Sequence, residues 1–170
     1  MSRYLAEEHR PRRIMAWEEY AKLEKNLVRR IKNGLHNEEG HNLVIMGIYR
    51  GGMVIARSLV SKLPGASLII INPHFLEDEE SNDNFLIGDP SSTPKFCKNS
   101  NNTECILLIA DDISDSGATL EKIVESIKKF KFAKIFTATL VVKTYTSFLP
   151  DFYAKKDDSQ DWIVFPWEQK

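Results

Sequence analysis

One stretch restricts the fold of this chain more than any other: Cys105-Ile-Leu-Leu-Ile-Ala-Asp-Asp-Ile-Ser-Asp-Ser-Gly-Ala-Thr119. A short apolar run ends in two adjacent carboxylates, and such a run, bounded by turn residues, reads as a buried strand. From Thr119 to Phe130 the apolar residues Leu120, Ile123, Val124 and Ile127 recur at helical spacing. The unit is therefore strand, polar loop and helix N-terminus. Unpaired backbone N–H groups and the positive end of the helix dipole suit an anion there. Gly117 permits a tight turn and close approach of a ligand, and Ser116 and Thr119 add hydroxyl donors. Asp111 and Asp112 would repel a bare phosphate. They make sense facing sugar hydroxyls or a magnesium ion, which prefers oxygen ligands. The simpler alternative is an acidic loop that caps a helix through Asp115 or Ser116, but capping needs one such residue and not five.

The rest of the chain supplies a sheet to carry this unit. Leu43 to Ile48 reads as a buried strand, followed by Tyr49-Arg-Gly-Gly52 and a helix from Met53 to Leu63 with Val54, Leu59 and Leu63 facing the core. Pro64-Gly65 turns the chain into a strand from Ser67 to Ile71. This βαβ pattern predicts parallel neighbours with a right-handed crossover. Ile135 to Val142 is apolar on both faces, as an interior parallel strand should be, and Lys143 ends it. An amphipathic helix is expected from Trp17 to about Gly34, with Trp17, Tyr20, Leu23, Leu27, Val28 and Ile31 on its apolar face. The fold class is α/β. Arg50, Asp111, Asp112 and Lys143 each follow a strand directly, so polar chemistry collects at the carboxyl edge of the sheet, where ligand crevices of open α/β sheets lie.

Three stretches carry weaker signals. Residues 1–15 look charged and irregular, with Pro11 interrupting any helix, and His36 and His41 read as exposed. Residues 73–103 hold little periodicity, and a loop of that length is usually functional or disordered. An active-site lid, an oligomer contact and a solvated insertion all remain open for it. The tail runs through Pro150-Asp-Phe-Tyr153 and a charged linker to Asp161-Trp-Ile-Val-Phe-Pro-Trp-Glu168.

The length of 170 residues fits one domain, 1–170. A net charge of −1 argues against broad nucleic-acid binding. No apolar run approaches the ~20 residues of a membrane span, and the first residues lack a signal-peptide core. Cys97 and Cys105 have no metal-type spacing and give no disulfide framework. The expected compartment is the cytoplasm.

The segment Ile109-Ala-Asp-Asp-Ile-Ser-Asp-Ser-Gly-Ala-Thr-Leu120 resembles the phosphoribosyl-pyrophosphate (PRPP) motif of type I phosphoribosyltransferases. Tyr49-Arg-Gly-Gly52 resembles that family's pyrophosphate loop, in which a cis peptide usually precedes the basic residue. The ending Trp162-Ile-Val-Phe-Pro-Trp-Glu168 is similar to that of xanthine–guanine phosphoribosyltransferases. The resemblance implies a mainly parallel sheet flanked by helices, with a small hood built from residues 144–170. It implies transfer of the phosphoribosyl group to N9 of a 6-oxopurine (guanine, xanthine or hypoxanthine) in purine salvage. By the same resemblance Asp111, Asp112, Ser116, Gly117, Ala118 and Thr119 hold PRPP, and Tyr49, Arg50, Gly51 and Gly52 hold pyrophosphate. Lys143, Trp162 and Ile163 meet the purine, Asp112 carries Mg²⁺, and Asp115 takes a proton from the base. Trp162 has a second reading as a hydrophobic plug, whereas Trp167 reads first as such a plug and Trp17 as core packing rather than ligand contact. The family's purine-specific members often carry a Ser-Tyr pair in the lid, and none is found in residues 73–103. The resemblance also implies a homo-oligomer, dimer or tetramer. A protein of this fold that binds PRPP or nucleotides as a regulator, without turnover, is the alternative.

Overall fold

The computed structural model describes residues 10–38, 40–73, 105–128 and 132–169. The expected lid falls on 73–103, of which Pro73 alone is among them. Five parallel strands form the main sheet in the order β3-β2-β4-β5-β6: β2 Asn42–Ile48, β3 Ser67–Ile71, β4 Cys105–Ser114, β5 Lys134–Lys143 and β6 Phe152–Asp157. Among the described residues three α-helices accompany it: α1 Trp17–Gly34, α2 Gly51–Lys62 and α3 Ala118–Ile127. A second, two-stranded parallel sheet joins β1 Arg12–Ile14 to β7 Trp162–Val164. The α/β class and the parallel sheet flanked by helices stand as expected from the sequence. No helix among the described residues is long and apolar enough to cross a membrane.

Alternation along the central strands builds two cores. Leu108 and Ala110 of β4 join Leu27, Ile31, Ile55 and Leu59 on the face covered by α1 and α2. Leu107 and Ile109 join Leu120, Ile123 and Ile127 of α3 on the other. An interior parallel strand is buried on both faces, which is why it reads as a continuous apolar run rather than an alternating one. Acidic Glu18 and Glu19 at the start of α1 and Lys32 at its end match the helix dipole.

Several expectations need correction. Residues 12–14, read as irregular, are β1: Trp162 donates its N–H to the Pro11 carbonyl at 2.7 Å and Met15 to that of Val164 at 2.9 Å. The charged linker after Tyr153 continues as β6, the edge strand beside β5. Trp17 is 57% exposed; its ring only leans on Tyr20 and Trp167. Cys105, buried at the start of β4, takes part in a disulfide, contrary to the expectation from two cysteines without a framework. Trp167 stacks on Phe165 at 5.0 Å and closes the core beside Met15 and Tyr20.

Candidate functional site

The site forms where β2 and β4 end. β4 carries Asp111 and Asp112 at its carboxyl end, bends through Asp115–Gly117, and enters α3. Gly117 caps the helix with φ +88°, the left-handed region that glycine tolerates best. The N-cap glycine has no side chain to cap the helix; Ser116 Oγ accepts from the Ala118 N–H at a long 3.4 Å, and the helix N-terminus opens onto the cleft that Gly117 and Thr119 line. The loop is braced from behind by the segment that follows β5. The backbone N–H and hydroxyl of Ser147 both donate to the Ser116 carbonyl, at 3.0 and 2.8 Å. Ser114 Oγ donates to the Phe148 carbonyl at 2.9 Å. A Cβ on Gly117 would press on the Phe148 backbone nitrogen.

The second loop, Tyr49–Gly52, lies directly on the paired carboxylates. The Tyr49–Arg50 peptide is cis. A Cβ on Gly51 would overlap the Asp112 carboxylate, and one on Gly52 would collide with the Ala110 carbonyl. Close backbone approach, not turn geometry alone, is therefore what requires the two glycines. Asp111 accepts from the Asp112 N–H at 3.0 Å. Its carboxyl lies well above the usual range, first because it is buried and second because Asp112 is adjacent. Burial also pushes Asp112 up to about 7, and the nearby Glu168 carboxylate adds to the effect. Two desolvated carboxylates side by side make a site in need of positive charge.

These elements enclose a cleft of about 330 Å³. Its walls are Tyr49, Arg50 and Gly51 on one side, Asp111 to Gly117 with Thr119 on the floor, and Asp161, Trp162, Ile163 and Glu168 opposite. Of the residues singled out from sequence, Gly52, Ala118 and Lys143 do not line it. Gly52 is packed beneath, on β4, and Ala118 opens α3.

Lys143 lies behind the cleft wall. It is 1% exposed, and its ammonium donates to Asp157 Oδ2 at 2.7 Å and to the carbonyls of Asp161 at 2.8 Å and Ser159 at 2.9 Å, with Ser159 Oγ at 3.2 Å. An ammonium has three protons, and four acceptors already surround this one, so none is left for a purine oxygen. Burial alone would raise the Asp157 carboxyl, but the Lys143 contact and the surrounding hydrogen bonds outweigh it and hold it below the usual range. The sequence placed Lys143 at the right end of the right strand; the packing of 157–161 around it turns it away from the cleft.

Three residues at the site were missed from the sequence. Arg10 Nη1 donates to Asp115 Oδ2 at 2.6 Å, and the Tyr145 hydroxyl donates to the other oxygen, Oδ1. Burial, followed by Asp115, pushes the Tyr145 hydroxyl up to about 12. Tyr145 follows β5 by two residues, so the rule that ligand sites sit past strand ends would have pointed to it. Nothing local pointed to Arg10. Glu168, whose carboxylate accepts from the Phe165 N–H at 2.9 Å, was likewise missed as a cleft wall.

Comparison with known proteins gives a consistent picture. A family model described as a phosphoribosyl transferase domain matches residues 16–170. A crystal structure of purine phosphoribosyltransferase from Pyrococcus horikoshii Ot3 is 26% identical, with 94% of this chain and 95% of that one covered and a TM-score of 0.68. The Helicobacter pylori xanthine-guanine-hypoxanthine phosphoribosyltransferase is 20% identical, covering 92% and 93% with a TM-score of 0.59. A hypothetical protein from Neisseria gonorrhoeae with bound ppGpp is 18% identical, covering 94% and 90% with a TM-score of 0.66. The last two likenesses carry the fold alone.

Proposed function

This chain belongs to the phosphoribosyl transferase domain family, and from that premise we propose that it transfers the 5-phosphoribosyl group of PRPP to N9 of a 6-oxopurine, releasing pyrophosphate. The observation that carries the reading is the composition of one cleft: a glycine loop, paired carboxylates, a helix N-terminus and an indole all line it. The amides and hydroxyls of Ser116 to Thr119 receive the 5′-phosphate. Asp111 and Asp112 take the ribose hydroxyls. Tyr49 to Gly52, with Arg50, hold the pyrophosphate. Trp162 offers an aromatic face to the flat base, beside Ile163. Lys143 acts behind the platform by fixing the Ser159 and Asp161 carbonyls.

Among the described residues no group of three or more His, Cys, Asp or Glu side chains could hold a metal by itself. The donor set nevertheless fits magnesium, which binds through one or two carboxylates plus substrate phosphates, and the raised Asp111 and Asp112 mark a place that favours a cation. Asp112, with Asp111, would hold it, and it would supply charge neutralisation for the leaving pyrophosphate. The chain's own residues align the base behind C1 and exclude water. Asp115 would take the purine proton, a general-base step worth about 10²–10⁴-fold, once one of its two oxygens is released by Arg10 or Tyr145.

The test is to incubate the protein with PRPP, Mg²⁺ and guanine, xanthine, hypoxanthine or adenine in turn, and to follow pyrophosphate. Release that depends on a 6-oxopurine is expected. Release indifferent to the base, or fastest with adenine, overturns the proposal. A second reading, a PRPP- or nucleotide-binding regulator, is favoured by the engagement of both Asp115 oxygens; it predicts PRPP binding with no base-dependent release.

A further inference from the structure

Arg10 is tied to three separate pieces of chain around the cleft without lining it. One guanidinium nitrogen holds Asp115 Oδ2 at 2.6 Å; the other donates to the Tyr145 hydroxyl at 2.6 Å and to the Asp161 carbonyl at 3.3 Å. Nε donates to the Gln160 carbonyl at 2.6 Å. The guanidinium carbon stands 5.9 Å from the centroid of the Trp162 ring. The next residue, Pro11, accepts the Trp162 N–H, so the arginine is anchored on the strand that carries that indole. Five donors in a rigid plane can bridge such a set of acceptors; a lysine, a point charge on a flexible stem, cannot.

We propose that Arg10 is a positioning residue, a clamp that fixes the spacing between the Asp115 loop and the Trp162 platform. The inference rests on the reading that the base binds between those two. The turn at 116 is held instead by Ser147, which donates to the Ser116 carbonyl, and by Ser114, which donates to the Phe148 carbonyl, while the Gly51 loop packs directly against the end of β4. Loosening the clamp therefore moves the base platform relative to the phosphoribosyl site and leaves the latter intact. The Tyr145 hydroxyl donates to Asp115 and accepts from Arg10, so it joins the Asp115 side of the clamp.

Two measurements on Arg10→Ala, Arg10→Lys and Tyr145→Phe test this. In steady-state kinetics Arg10→Ala should raise the KM for the purine roughly tenfold with the KM for PRPP within about twofold. Added methylguanidine should restore part of that loss; Arg10→Lys should remain impaired, and Tyr145→Phe should change kcat with little effect on purine KM. Parallel loss in both KM values, or no rescue, overturns the clamp and leaves a merely structural arginine. Backbone amide exchange needs no turnover: Arg10→Ala should speed exchange in 159–164 and leave 116–119 and β2 unchanged. Unchanged exchange in 159–164, or equal acceleration in 116–119, overturns the clamp whether or not the native protein turns over. A native protein inactive with every purine overturns the functional reading instead.

Discussion

Replacing Lys143 by alanine probes the joint that holds the segment 157–161 against the sheet. The native ammonium is sealed from water and feeds one carboxylate and two backbone carbonyls. Alanine leaves Asp157 buried without its cation and both carbonyls without their donor. Breaking a buried ion pair from one side costs about 3–5 kcal/mol. Unpaired carbonyls could add ~1–3 kcal/mol each, but the vacated space is polar enough for water to enter and satisfy them, so the ion-pair figure sets the expectation. At about 2–4 °C per kcal/mol for a chain of this size, Tm should fall by roughly 6–20 °C. Urea unfolding followed by circular dichroism at pH 7 and at pH 4 measures the loss directly. The pH dependence fixes its cause. The native Asp157 carboxyl lies below its usual range, so its contribution is complete above about pH 4 and disappears as pH falls through the lowered folded value. In the variant the same carboxyl loses its cation and keeps only the Ser159 hydrogen bonds against its burial, so it rises relative to the native one and the folded variant takes up a proton at a higher pH. The gap between the two proteins should therefore narrow on acidification. Lys143→Met combined with Asp157→Leu should recover part of the stability, since an apolar pair can replace a buried ionic one but gives the Ser159 and Asp161 carbonyls no donor. A loss under about 1 kcal/mol at pH 7, or a gap that does not change with pH, would refute the reasoning.

Other perturbations test the floor of the cleft. Asp111 and Asp112 are raised in the folded state, which then binds more protons than the unfolded chain. Stability without magnesium should thus fall as pH climbs from about 4 to 7. Asp112→Asn should therefore be more stable than the native protein at pH 8 by about 1–3 kcal/mol, an advantage that vanishes below about pH 4; thermal melts in chelator check it, and a variant less stable at pH 8 contradicts it. Gly117→Ala meets both the left-handed backbone and the Phe148 nitrogen, so it should lose at least about 1–2 kcal/mol in urea unfolding and weaken phosphate binding measured by calorimetry. Asp115→Asn should lower kcat far more than it changes PRPP affinity, and an equal loss in both removes Asp115 from the base role.

What the sequence determined by itself lies in continuous, local patterns. The run into Asp111-Asp112, the Gly117 turn and the spacing of Leu120, Ile123 and Ile127 each report on neighbours within a few residues, so strand, loop and helix were legible together. The Gly51-Gly52 pair was legible as a loop, though only the structure gives its reason, the carboxylates pressed beneath it. Three-residue strands such as β1 and β7 have no period to detect; they exist because residue 12 meets residue 162 in register. β6 looked like a charged linker because an edge strand is half solvated. The same cause hid Arg10, whose partners are 105 to 151 positions away, and misdirected Lys143. A side chain's position along a strand is set by the chain, but which way its charge turns depends on acceptors that only the folded tail brings within reach.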